Sequence, residues 1–186
     1  MKDWEVLEDE KYSHLYDNGY PHGNPIAAIK WAGISQDTSV LDVGCGRGEL
    51  SKFFTTYTGA DVSASVIELN KNSNDNGTYI HSSLGALKTP SKVDLVACLD
   101  VLEHIPETQV WRSLKHMATL NADQFLFSIS TRESVHLDKD GNNLHLTLWS
   151  MEKWITQLEK YFDVISTKEM TGRQAFFVTL TSKNNK

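Results

Sequence analysis

Two cysteines in 186 residues, Cys45 and Cys98, make no disulfide framework, and the paired spacings that hold structural zinc are missing. No run approaches the roughly 20 apolar residues that span a bilayer. Residues 1–20 are charged and aromatic without an apolar stretch, so no signal peptide is expected. Positive charge is also in short supply: 18 Lys and Arg stand against 24 Asp and Glu, a formal net charge of −6. A nucleic-acid binder usually carries a basic stripe to neutralise phosphates, so an extended RNA or DNA footprint is not expected. Internal repeats and low-complexity tracts are absent too. These absences point to a cytoplasmic globular chain, 40% hydrophobic and 23% charged, whose length suits one domain over residues 1–186.

What is present is an alternation of short apolar runs with amphipathic segments, the pattern of a parallel sheet covered by helices. Strands are expected at Ser39–Val43, Tyr57–Val62, Thr78–His81, Val93–Leu99, Gln124–Ser130, Phe162–Thr167 and Ala175–Thr181. The last two are separated at Thr171-Gly172-Arg173, too little for a helical crossover, which makes them antiparallel to each other. Helices are expected over Gly48–Thr55, Ser65–Asn72 and Glu107–Thr119, and again after Ser150 as an N-cap. Met151, Trp154, Ile155, Leu158 and Tyr161 recur there at helical spacing, as do Val110, Trp111, Leu114, Met117 and Ala118. Trp111 and Trp154 are therefore read as core residues.

The densest local signal is Val40-Leu41-Asp42-Val43-Gly44-Cys45-Gly46-Arg47-Gly48. A strand running into close-spaced glycines and then a helix lets backbone approach a ligand. The Gly-x-Gly-x-Gly spacing departs from the Gly-x-Gly-x-x-Gly of dinucleotide sites, and Asp42 would repel a pyrophosphate while suiting an ammonium group. A dehydrogenase is disfavoured on both grounds. The Lys-Ser/Thr of a Walker loop is missing as well.

This segment resembles motif I of the seven-stranded S-adenosylmethionine-dependent methyltransferases. The resemblance continues, in order and spacing, through Gly59-Ala60-Asp61-Val62-Ser63 and through Asp94 to Pro106, including Leu102-Glu103-His104-Ile105-Pro106. It implies a Rossmann-like, doubly wound α/β fold: a seven-stranded sheet, mostly parallel with an antiparallel C-terminal hairpin strand, and helices on both faces. It also implies S-adenosylmethionine as cofactor. Asp42, Gly44, Cys45 and Gly46 would surround it at the glycine loop, and Asp61 would hold both ribose hydroxyls. Val62 and Leu84 would pack on the adenine, Ser83 would face its amino group, and Leu99 would close the end of the fourth strand. Ser83 departs from the family pattern, which often has Asp there.

In open α/β sheets ligands sit beyond the carboxyl ends of the strands. That directs attention to Asp100, Glu103 and His104 after the fourth strand and to His145 after the fifth. Asp100, Glu103 and His104 stand at i, i+3 and i+4, one face if the turn is helical. Glu103, His104 and His145 are candidate catalytic residues for proton transfer. With Asp100 they could instead ligate a divalent metal, the less favoured alternative. That pattern is similar to the small-RNA 3′-terminal 2′-O-methyltransferases, except that Asp100 stands for Glu. The N-terminal segment is dense in Trp4, Tyr12, His14, Tyr16, Tyr20 and His22, and a lid is expected within residues 1–30. Tyr20 and His22 are its expected acceptor-facing members, with Trp4, Tyr12 and Tyr16 as packing. The leading reading is methyl transfer to O or N of a small-molecule acceptor. Metal-assisted RNA 3′-terminal ribose 2′-O-methylation and an inactive cofactor-binding regulatory module are the alternatives.

Overall fold

The structure, a computed structural model, describes residues 4–21, 24–73, 77–88 and 91–183. Its strands are β1 (Ser39–Val43), β2 (Thr56–Asp61), β3 (Thr78–His81), β4 (Val93–Leu99), β5 (Ala122–Ser130), β6 (Phe162–Met170) and β7 (Ala175–Ser182). Its α-helices are α1 (Trp4–Asp17), α2 (Ile26–Trp31), α3 (Ala64–Asn72), α4 (Glu107–Met117) and α5 (Met151–Leu158). The strands form one seven-stranded sheet in the order β3-β2-β1-β4-β5-β7-β6. β1 to β5 are mutually parallel. β7 runs antiparallel to both β5 and β6, as the short separation between β6 and β7 requires.

Side chains alternate across the sheet with the two-residue period of a strand. Leu41, Val43, Val96, Cys98, Phe125 and Phe127 pack on one face, under Val110 and Leu114 of α4 and Trp154 and Leu158 of α5. Val40, Leu95, Ala97 and Leu126 pack on the other, with Ile29 of α2 and Val66 and Ile67 of α3. Burial on both faces is why β4 reads as a continuous apolar run rather than an alternating one. α5 begins where Ser150 Oγ accepts the Lys153 N–H, the capping arrangement its sequence anticipates.

Two local expectations are corrected. Trp111 is 49% exposed, and the Arg112 guanidinium lies 5.6 Å from its ring centre. Val110, Ser113, Leu114 and Met117 form the buried stripe of α4; Trp111, one residue past Val110, is rotated about 100° off that face. The helix expected over Gly48–Thr55 is only a 3₁₀ turn, Glu49–Lys52, which starts after Gly48 in the left-handed region. No helix among the described residues is long and apolar enough to cross a membrane.

The topology gathers four chain segments at one edge. β1, β4 and β5 end there, and Ala175 of β7 pairs with Ser130 of β5, so the β6–β7 turn lies there too.

Candidate active site

β1 carries Asp42 into the glycine turn. Gly44, Gly46 and Gly48 have φ of +74°, +50° and +70°, values that cost an L-residue free energy. Space is equally restrictive at Gly44, where a Cβ would come within 2.3 Å of Val101 Cγ2. The turn is tied to β2: Gly44 and Cys45 N–H donate to Ala60 O at 2.7 and 3.0 Å. Asp61, at the end of β2, accepts the Gly46 N–H at 2.9 Å on one oxygen and the Ser63 N–H at 2.9 Å on the other. Asp42 accepts the Tyr57 hydroxyl at 2.8 Å. Burial lifts the Asp42 carboxyl to about 7, although the Tyr57 hydrogen bond pulls the other way. Burial also raises Asp61, opposed by the N–H groups of Ser63 and Gly46.

Beside this turn lies a cleft of about 120 Å³, with Tyr12, Gly44, Asp61, Val62, Ser83 and Leu84 on its walls. α1 crosses it. Glu5 Oε1 accepts the Ser83 hydroxyl at 2.7 Å, Asp9 Oδ1 accepts the Ala64 N–H at 2.9 Å, and Ser13 Oγ is 3.0 Å from Ser63 Oγ. The three side chains recur at four-residue spacing, one stripe of the helix. Among the described residues, the Tyr12 hydroxyl on this wall lacks a partner, as does Arg47 Nε of the residue that lines the neighbouring larger cavity. Buried polar groups are nearly always hydrogen-bonded, so these two stand out.

The second region opens from the same turn. A cavity of about 320 Å³ reaches from Asp42 and Gly44 to Glu103, His104 and His145, with Leu99 and Cys45 also on its wall. Glu103 sits on a 3₁₀ turn, Leu102–His104, and is 0% exposed. Its Oε1 accepts the Ser130 N–H at 2.9 Å, while its Oε2 is buried without a partner among the described residues. Its main-chain oxygen accepts the N–H of Leu146 and of Thr147 at 2.8 and 2.9 Å, drawing the loop before α5 onto the turn. His104 Nδ1 lies 3.0 Å from Leu144 O, and His145 Nδ1 lies 2.6 Å from Arg132 O. A carbonyl only accepts, so both Nδ1 atoms carry the proton and both Nε2 atoms present a lone pair. The two rings meet edge to face with centroids 4.7 Å apart. Burial pushes Glu103 well up, and Asp100 adds to that. Burial, then His145, pushes His104 down to about 3.

The structure thus brings Glu103, His104 and His145 together, with one ligand atom from each within 4.8 Å of the others. Asp100 is a correction. It lies before the 3₁₀ turn with φ +56° and accepts the Ser128 hydroxyl at 2.6 Å, so it does not share the face proposed for it. Val62, Ser83 and Leu84 line the narrower cleft as expected positions, and Ser83 is engaged by Glu5. Tyr20 stands against His136, centroids 5.6 Å apart. His22 lies outside the described residues. The division of the aromatic residues is corrected as well: Tyr12 and Tyr16 line the cavities alongside Tyr20 rather than serving as packing alone. Sequence reasoning missed Arg132 and Arg173 at the rim of the larger cavity. Both follow from a rule already in use, since Arg132 comes directly after β5 and Arg173 lies in the turn that β7 brings to the same edge.

The sequence matches the methyltransferase-domain family over residues 24–163. The chain belongs to that family. A ubiquinone biosynthesis O-methyltransferase of Coxiella burnetii (strain RSA 493 / Nine Mile phase I) is 37% identical over 90 residues. That match covers 44% of this chain and 38% of the relative, so the likeness spans well under half of the longer protein. Among solved structures, magnesium protoporphyrin IX methyltransferase from Synechocystis PCC 6803 with bound S-adenosylhomocysteine superposes with a TM-score of 0.73 at 18% identity. It covers 97% of this chain and 100% of that one. A Burkholderia thailandensis 1,6-didemethyltoxoflavin-N1-methyltransferase, with its acceptor and S-adenosylhomocysteine bound, has a TM-score of 0.59 at 15% identity over 86% of this chain and 76% of that one. These two structures establish the shared fold.

Proposed function

We propose that this chain transfers a methyl group from S-adenosylmethionine to an oxygen or nitrogen of a small acceptor. The observation that carries the reading is one continuous edge. Buried Asp42 and Asp61 flank the positive-φ glycines, and the turn they frame opens into the cavity that ends at Glu103 and the two histidines. The residues present fit the cofactor. Asp42 suits its ammonium group, and Asp61 keeps a lone pair on each oxygen for the ribose hydroxyls. Val62 and Leu84 offer apolar surface for the adenine. The bound cofactor supplies a methyl group on a sulfonium.

With Asp42 and Asp61 holding the cofactor, its methyl group would be available to a lone pair of an acceptor lodged in the larger cavity. His145 Nε2, whose lone pair is free because Nδ1 is committed to Arg132 O, would take a proton that the acceptor must lose. Such a transfer needs alignment more than covalent help, and the chain's part is to hold the acceptor in line and exclude water. A cavity of about 320 Å³ suits a small molecule. The relatives' names, an O-methyltransferase of ubiquinone biosynthesis and an N1-methyltransferase of 1,6-didemethyltoxoflavin, support the same two atoms. α1, latched over the narrower cleft, serves as the lid.

Calorimetric titration with S-adenosylhomocysteine tests cofactor binding, and label transfer from methyl-labelled S-adenosylmethionine to pooled small hydroxylated and amino compounds tests turnover. We expect saturable one-to-one binding and a labelled product. A folded chain that binds no S-adenosylhomocysteine would overturn the reading.

A further inference from the structure

We infer that Arg132 and Arg173 form an oxyanion site at the rim of the larger cavity, and that the methyl acceptor carries a carboxylate or phosphate group which they hold. Arginine is scarce in this chain: of 18 basic residues only Arg47, Arg112, Arg132 and Arg173 are arginine. Three of these line the larger cavity, and among the described residues no lysine does. That selection has a chemical meaning. The planar guanidinium matches the paired oxygens of a carboxylate or phosphate, which the point charge of an ammonium does not.

The sheet brings the two residues together from separate segments. Arg132 follows β5 directly, and Arg173 lies in the β6–β7 turn. Gln174 O accepts both the N–H and the hydroxyl of Thr131, each at 2.8 Å, which fastens that turn to the end of β5. Arg132 donates from Nε to Arg173 O at 3.2 Å and from Nη1 to Glu133 O at 2.7 Å. Its partners are main-chain oxygens, so its charge is oriented without being neutralised. Among the described residues neither guanidinium pairs with a carboxylate. Two like charges rooted on neighbouring strands repel, and an oxyanion between them relieves the repulsion.

The acids on the same wall are engaged elsewhere. Glu49 lies 3.6 Å from Lys52, Asp100 accepts the Ser128 hydroxyl, Asp42 accepts the Tyr57 hydroxyl, and Glu103 Oε1 accepts the Ser130 N–H. Burial also holds the Asp42 and Glu103 carboxyls above their usual range, which reduces the negative charge they bring. Arg47 stands apart, because it belongs to the glycine turn and donates from Nη2 to Tyr16 O. The use of the site rests on the methyltransferase reading. The cavity that has Arg132 and Arg173 on its rim also reaches His145, Asp42 and Gly44. An acceptor gripped by its oxyanion would be turned with its reacting atom toward the methyl group, and a neutral molecule of the same shape would be held less well. The acceptor class is then a small acid or phosphate ester bearing a hydroxyl or amino group.

The test uses the full chain, isotopically labelled at arginine nitrogen, and three probes of similar shape: benzoate, phenyl phosphate and benzyl alcohol. Each is titrated at constant ionic strength, with and without S-adenosylhomocysteine, while the arginine Nε–H signals are followed by NMR. Arg132→Gln and Arg173→Gln assign their two signals. We expect at least one anion to move both signals saturably, benzyl alcohol to leave them in place, and anion affinity to fall at least about tenfold in each glutamine variant. Arg132→Lys and Arg173→Lys keep the charge without the planar fork and should restore only part of the loss. The tighter anion identifies the acceptor's group as carboxylate or phosphate. Arg132 also ties down Glu133 and Arg173, so its variants are read only where melting shows a folded chain; Arg173, which is exposed, carries the test without them. No saturable shift in folded wild type, benzyl alcohol bound as tightly as the anions, a response confined to Arg47, or unchanged affinity in the Arg173 variant overturns the site. S-adenosylhomocysteine binding without an anion response sinks this inference alone. An anion response in a folded chain that binds no S-adenosylhomocysteine sinks the methyltransferase reading.

Discussion

The two halves of the strand edge are built by different means. On the half proposed for the cofactor, Asp42, Gly44, Gly46, Asp61 and Ser63 come from one β1–turn–β2 stretch, and both carboxylates already accept hydrogen bonds from their neighbours. On the half proposed for the acceptor, Glu103, His104, Ser130, Arg132 and His145 come from three separate segments, and one Glu103 carboxyl oxygen has no partner among the described residues. The first half is preorganised by local backbone. The second is assembled by tertiary packing and leaves one buried carboxyl oxygen without a partner among the described residues.

The comparison breaks most readily at Gly44. Gly44→Ala combines a left-handed backbone with a Cβ in the position of a Val101 methyl, and should cost roughly 2–4 kcal/mol of stability. Urea unfolding measures this, and an unchanged midpoint would show the turn to be less constrained than its geometry indicates. Asp61→Ala should come next. It removes an ionisable acceptor of two N–H groups and of the proposed ribose contacts, so S-adenosylhomocysteine affinity should fall by about 1.5–3 kcal/mol per lost charged bond. Calorimetry reads the loss, and equal affinities would remove Asp61 from the site.

Asp42 gives the glycine-turn half its own pH signature, one that reads out in ligand affinity as well as in stability. Its folded pKa is raised to about 7 by burial. A raised carboxyl favours folding fully below its unfolded value near 3.9, and that contribution is lost as pH rises through about 7. Cofactor affinity should move oppositely, increasing from pH 6 to 8 as Asp42 ionises to meet an ammonium group, and Asp42→Asn should flatten both trends. Titrations at several pH values decide it; a wild-type affinity flat across that range would take the ammonium contact from Asp42. The smallest effect on stability is expected at α1, whose residues are at most half-buried as whole side chains. Removing residues 1–22 should leave melting within a few degrees of wild type yet lower turnover. An unfolded truncation would make α1 part of the core rather than a cover.

The same contrast explains what was legible in the sequence. The glycine turn and the acids beside it depend on contacts across fewer than about two dozen residues, so residue type and spacing nearly determine them. The antiparallel end follows from the short β6–β7 turn, and the convergence of His145 with Glu103 and His104 from the carboxyl-end rule. Less was legible where a distant partner decides. Asp100 leaves the expected helical face because Ser128 of β5 takes its carboxylate. Trp111 fits an apolar pattern, yet Ser113 occupies the buried stripe. The latch of Glu5 on Ser83 joins residues 78 positions apart, and no local motif marks it.

That latch makes the hydroxyl of Ser83 a contested donor. A ligand that claims it, or that fills the space beneath α1, competes with Glu5, and the loss propagates along a helix fastened at only Glu5, Asp9 and Ser13 on that stripe. Occupancy of the cleft is thereby exchanged against order in the first turns of α1. Amide hydrogen exchange in residues 5–13 should therefore quicken when a ligand displaces Glu5 and slow when the helix closes over it, making these amides a reporter of ligand traffic several ångströms from the chemistry.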